Sequence, residues 1–187
     1  NGAVLSSNSW GPSPVPLGYD IDTRFVDQGV RDSDIETQGN QPLGYVLSIM
    51  NGYGGYQTQG TPDEALTIVS VGATRLRTAG GNLTNQYNDV SSVSAHGPCL
   101  DGRLLPDIVA PGVQICSARA DEAQYPAVPS CSSARYSSNN PLHMAADGAS
   151  TSTPVVVGAS ALVCQFLCKE KSINSARSDL FKAILIN

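Results

Sequence analysis

Apolar residues fall along this chain in short unbroken runs separated by amphipathic stretches. That is the pattern of strands covered on both faces, with helices laid over them. Ala3 to Ser9 reads as a first strand, ended by the turn signal Trp10-Gly11-Pro12. Asp20 to Asp32 places Ile21, Phe25, Val26 and Val30 at helical spacing with polar residues between them. Tyr45 to Met50 is a continuous apolar run of strand length, broken at Asn51-Gly52-Tyr53-Gly54-Gly55. Thr67 to Val71 predicts another buried strand, stopped by Gly72, and Val113 to Ala118 a third. Between them, Pro106 to Gly112 has a proline near each end and predicts a fixed bend. Arg119 to Ala146, rich in Ser, Pro and Asn, reads as one long loop of the kind that is usually functional or mobile. A last helix, capped near Asn174 or Ser175, carries Leu180, Phe181, Ile184 and Leu185. Strands alternating with helices imply an α/β sheet with its site at the strands' C-terminal ends.

The remaining helix is the one the chain is organised around. Asp147-Gly148-Ala149-Ser150-Thr151-Ser152-Thr153-Pro154 leads into the apolar run Val155 to Leu167, and the helix is expected to reach about Lys169. Proline costs little in a helix's first turn and roughly 3 kcal/mol deeper inside, so the helix is expected to begin near Thr151. Ser150 then sits at its positive end, where backbone N–H groups favour an oxyanion. From this stretch alone Ser150 reads equally as an ordinary capping serine.

Composition narrows the classes. The 187 residues are 41% hydrophobic and 14% charged, with 18 glycines and 12 prolines, which describes one loop-rich globular domain with no internal repeat. A net charge of −5 gives no reason to expect nucleic acid or an anionic membrane as partner. No apolar run approaches the roughly 20 residues that span a bilayer, so no membrane span is expected. The opening Asn1-Gly2-Ala3-Val4-Leu5 reads as the middle of a chain, a processed product or a fragment. Of five cysteines, Cys99, Cys116 and Cys131 lie in loop-rich sequence, where a bridge fits an oxidising compartment. Cys164 and Cys168, four apart on the helix, read as buried thiols rather than a metal pair. Asn82-Leu83-Thr84 is a glycosylation sequon, a weak pointer to secretion and an extracellular location.

Three segments in order carry a resemblance. Gly148-Ala149-Ser150-Thr151-Ser152-Thr153-Pro154 resembles the Gly-Thr-Ser-Met-Ala-Thr-Pro motif of subtilisin-like serine peptidases. Ser91 to Pro98 followed by Asp101 to Val113 is similar to that family's "FSSRGP…DGRxKPDIVAPGV" stretch, and Ile68 to Thr74 to its "xxTVGAT" strand. The match runs from about Ser7 to Leu185. The resemblance implies a three-layer α/β fold with a mostly parallel central sheet. It makes Ser150 the nucleophile, and Asn51 the amide that completes the oxyanion hole with the nucleophile's backbone N–H. Asn51 is otherwise a plain Asn-Gly turn. Ser9-Trp10-Gly11 would pair main chain to main chain with a polypeptide substrate and line one wall of the specificity pocket, Ile49-Met50 the other, with Gly148 also contacting substrate. Read without the family, Trp10 is only a core or surface aromatic. The family often binds structural calcium in loops, but Asp20, Asp22 and Asp63 read as solvated loop carboxylates and no metal ligand is assigned.

The pattern also breaks. The family's general base and orienting carboxylate lie in His-Gly-Thr and Asp-Thr-Gly or Asp-Ser-Gly motifs, and neither motif occurs here. His96 replaces the arginine of Arg-Gly-Pro and reads as a loop residue. His143, seven residues before Ser150, has little claim to a direct role, and Asp147 is too near Ser150 in sequence to serve. Met50 stands where the family usually has glycine, and a side chain there would narrow the pocket. Thr151 replaces a bulky apolar methionine, while Ala149 and Ser152 are small-for-small changes. Residues 1–187 are therefore expected to be the C-terminal half of a secreted peptidase domain, incomplete by itself. A complementary N-terminal half, in a preceding segment or companion chain, would carry the Asp and His, and the chain alone should expose an apolar edge. The alternative is an inactive module of the same fold in an extracellular assembly. An unrelated α/β hydrolase is disfavoured because no Gly-x-Ser-x-Gly elbow surrounds Ser150.

Overall fold

A computed structural model describes residues 2–76, 82–85, 89–119, 143–173 and 178–187. Among the described residues nine elements follow one another: β1 (Leu5–Asn8), α1 (Ile21–Arg31), β2 (Gly44–Ser48), β3 (Val69–Thr74), β4 (Ile108–Pro111), β5 (Ile115–Ala118), β6 (His143–Ala146), α2 (Ala149–Lys171) and α3 (Ser178–Ile186). The first four strands form a parallel sheet in the order β1-β2-β3-β4, and β5 and β6 form a separate antiparallel ribbon.

Alternation in β2 shows how the layers are built. Tyr45 and Leu47 meet Val26 and Val30 of α1, with Ala65 and Ile68, on one face. Val46 turns the other way and joins Val69, Val71, Val156 of α2 and Phe181 of α3. This is the three-layer α/β arrangement the resemblance implied. A third cluster, Ile49, Ala73, Ala95, Cys99, Leu105 and Ala149, closes the C-terminal ends of the strands beneath the start of α2. Asp20 caps α1, its Oδ1 accepting the Thr23 N–H at 2.9 Å.

Several expectations change. Gly72 does not stop β3 but lies inside it, because a Cβ there would sit 2.6 Å from the Pro106 ring. The Pro106 to Gly112 stretch contains β4, with Pro111 on an edge strand where its missing N–H is tolerated. The end of the expected long loop is β6, and residues 120–142 lie outside the described residues, as do the expected helix caps Asn174 and Ser175. Ile21 and Phe25 are exposed, so the buried face of α1 rests on Val26 and Val30. Cys99 is a buried free thiol rather than a bridging one, pushed up to about 11 chiefly by burial. Cys116 is disulfide-bonded, and Cys131 lies outside the described residues. Cys164 is half-buried against the core, and Cys168, expected buried, is exposed. The 23-residue α2 is long and apolar enough, by length and composition, to cross a membrane, contrary to the reading of the runs alone. In the fold it lies along the sheet, packed against β1, β2, β3 and β4.

Candidate active site

The head of α2 is tied down before any reactive group is considered. Gly112 donates to the Thr74 carbonyl at 3.0 Å, and its own carbonyl accepts from Gly148 N at 2.8 Å and Thr151 Oγ1 at 2.8 Å. The Thr151 hydroxyl is also 2.7 Å from the Gly148 carbonyl. A side chain on Gly112 would overlap the Ser152 hydroxyl. The segment before α2 is thus fastened to the ends of β3 and β4, and Thr151 supplies a polar clamp where the resembled motif has a bulky methionine.

The helix starts at Ala149, two residues earlier than the proline rule placed it. Gly148 makes this possible with φ 147°, a conformation that L side chains rarely adopt. Pro154 is then the sixth helical residue and offers no N–H to the Ser150 carbonyl four residues back. The N-cap is Gly148, so Ser150 does not cap α2. It lies in the first turn, exposed, and its hydroxyl makes no hydrogen bond among the described residues.

Asn51 arrives from the other direction. Beyond β2 the chain stays pinned: Ile49 N donates to Val71 O at 2.9 Å, Met50 N to Asp63 Oδ2 at 3.0 Å, and Met50 O accepts from Ala95 N at 2.6 Å. Asn51 Oδ1 then accepts the Ala149 N–H at 2.9 Å, across 98 residues. The position of a Cβ on Gly148 would lie 3.1 Å from both Asn51 Nδ2 and Oδ1, so the carboxamide lies against the bare Gly148 backbone. With its carbonyl engaged by Ala149, the amide's donor end is left for another acceptor.

The expected substrate walls sit beside this pair in part. Ser9, Trp10 and Gly11 follow the end of β1, with Trp10 about half exposed near Tyr45. Met50 is half-buried against Gly11, whose Cβ would overlap the Met50 methyl. Ile49, expected as a wall, is 1% exposed and points into the core, so only its backbone is available. The histidines lie on other segments. His143 opens β6 opposite Ala118, with roughly 10 Å of strand between it and Ala146. His96 O accepts from Thr58 N, with its own N–H on Thr58 Oγ1. Asp147 Oδ1 holds the Gln114 N–H at 2.6 Å.

Two of the carboxylates weighed for calcium are engaged within the fold. Asp20 is committed to Thr23 and to Thr61 Oγ1 at 2.7 Å. Asp63, read from sequence as solvated, is fully buried, and its Oδ2 accepts both Met50 N and Gly60 N at 3.0 Å. No group of three His, Cys, Asp or Glu residues among the described residues forms a metal cluster. The sequence offered no signal for Asp63 other than its place 13 residues after Met50. Burial pushes its carboxyl up to about 7, against the two backbone donors that favour the charged form.

The chain matches the Subtilase family over residues 1–187. It is 34% identical over 109 residues to the serine protease/ABC transporter B family protein tagD of Dictyostelium discoideum, covering 54% of this chain and 6% of that protein. Among solved structures it resembles the prenylagaramide maturation protease PagA (TM-score 0.58, 17% identity, 95% of this chain and 49% of that one). It also resembles Sphericase (TM-score 0.57, 16% identity, 98% and 47%). At those identities the structures establish the fold, and the chain spans about half the length of each.

Proposed function

Because the chain belongs to the subtilase family, we propose that it forms part of a subtilisin-like serine endopeptidase in which Ser150 attacks the peptide carbonyl. The histidine that takes the Ser150 proton, and the aspartate that orients it, come from a preceding segment or companion chain. The tetrahedral oxyanion lies between the Ser150 N–H and Asn51 Nδ2. Collapse breaks the C–N bond, the histidine returns the proton to the leaving amine, and water hydrolyses the acyl-enzyme. The observation that supports this reading is the 2.9 Å bond from Ala149 N to Asn51 Oδ1, which aims the amide's donor end beside the helix start. The reading includes an extracellular location, consistent with the exposed Asn82 of the sequon.

A fluorophosphonate probe on the full-length protein tests it. Labelling should occur at Ser150 and vanish in Ser150→Ala. Asn51→Ala should slow peptide turnover roughly 100- to 1000-fold, the loss expected when an oxyanion-hole donor is removed. No labelling of a full-length protein that contains the histidine would support the inactive module instead.

A further inference from the structure

The pocket expected between the Ser9-Trp10-Gly11 segment and the end of β2 has a side chain already in it. Met50 lies against two glycines whose segments are joined by the bridge between Ser13 and Thr61. A Cβ on Gly11 would overlap Met50 Cε and lie 2.7 Å from the Thr61 carbonyl. A Cβ on Gly60 would lie 3.1 Å from Met50 Cγ and 3.2 Å from Cε, and would overlap the Ser13 carbonyl. The thioether therefore occupies space that only glycine at both positions leaves open. The root of the side chain is equally fixed. Asp63 Oδ2 holds Met50 N and Gly60 N together at 3.0 Å each, and Ala95 N holds Met50 O at 2.6 Å. Ile49 and Ala95, in the apolar cluster that Met50 packs against, are 1% and 0% exposed.

We propose that Met50 is the specificity-determining residue of this site: it plugs the crevice between Gly11 and Gly60, so the substrate residue on the acyl side of the scissile bond must be small, alanine or glycine. This rests on the peptidase reading above. A phenylalanine ring needs to bury about 150–250 Å², and the thioether occupies the space it would enter.

Binding separates this proposal from the catalytic one. In the full-length protein carrying Ser150→Ala, calorimetry with two acetylated tetrapeptides identical except for a C-terminal Ala or Phe reads the pocket without chemistry. The Ala peptide should bind roughly tenfold or more tightly than the Phe peptide. Met50→Gly should reverse that order, and Met50→Ala should bring the two peptides closer. Far-ultraviolet circular dichroism of each variant checks that it is folded, and Met50→Ala provides the reading if Met50→Gly does not fold. Equal or tighter binding of the Phe peptide with Met50 present overturns the proposal. So does an unchanged ratio in both Met50 variants, or the failure of either peptide to bind any version. If the peptides discriminate as expected while the fluorophosphonate leaves Ser150 unlabelled, the catalytic reading falls and the plug stands.

Discussion

At the scale of single residues, two aspartates show opposite consequences of burial. Desolvation pushes Asp27 up, but the Thr67 hydroxyl, the Leu66 and Thr67 N–H groups and Tyr19 Oη all donate to it, and the net effect holds it below its usual range. Asp63 has two backbone donors on one oxygen and none on Oδ1, so desolvation prevails and its pKa rises to about 7. The folded chain then holds the Asp63 proton more tightly than the unfolded chain, whose carboxyl titrates near 3.8. Its contribution favours folding most below that value, is lost as pH rises toward 7, and levels off above. Asp63→Asn keeps an acceptor for Met50 and Gly60 and cannot ionise. Chemical denaturation across this range should show the variant gaining on the wild type as pH rises, by on the order of a few kcal/mol. A difference independent of pH would show that Asp63 titrates normally. Neither aspartate announces itself in sequence, because burial here depends on donors that converge only when the chain folds.

At the scale of elements, the apolar runs were legible and their punctuation was less so. β2, β3, α1 and α2 lie where continuous or helically spaced apolar residues put them. Gly72 was misread as a stop because a glycine required by a neighbour looks the same in sequence as one that ends a strand. Gly72→Ala should therefore cost about 1–3 kcal/mol through collision with Pro106, seen as a lower urea midpoint. A midpoint equal to that of the wild type would mean β4 yields to accommodate it. Thr151 offers a second test. Thr151→Val removes the bond to the Gly112 carbonyl, which should lower stability by roughly 1 kcal/mol, while Thr151→Ser should keep most of it, read by thermal unfolding. The start of α2 was misplaced by two residues because a proline rule counts only local cost, whereas Gly148 and the Thr151 clamp determine where the first turn can form.

At the scale of the molecule, the apolar surface is uneven. Val155, Leu162 and Phe166 on α2 and Ile21 and Phe25 on α1 are exposed, and β1 is an edge strand among the described residues. An exposed edge beside apolar helix faces favours association with another surface. Residues 1–187 produced alone should therefore self-associate, and Leu162→Gln with Phe166→Gln should raise the monomer fraction in size-exclusion chromatography with light scattering. A monodisperse wild-type chain would argue against a companion half covering this face.

The sequence by itself determined the α/β class, the places of β2, β3, α1 and α2 and a serine at the head of the long helix, since those follow from spacings of two and 3.6 residues and from local motifs. Only the tertiary structure decided which of those pieces meet. The bond from Ala149 to Asn51, the buried Asp63 and the methionine lodged between Gly11 and Gly60 each join segments brought together by the order of strands in the sheet, and that order is written in no local window of the chain.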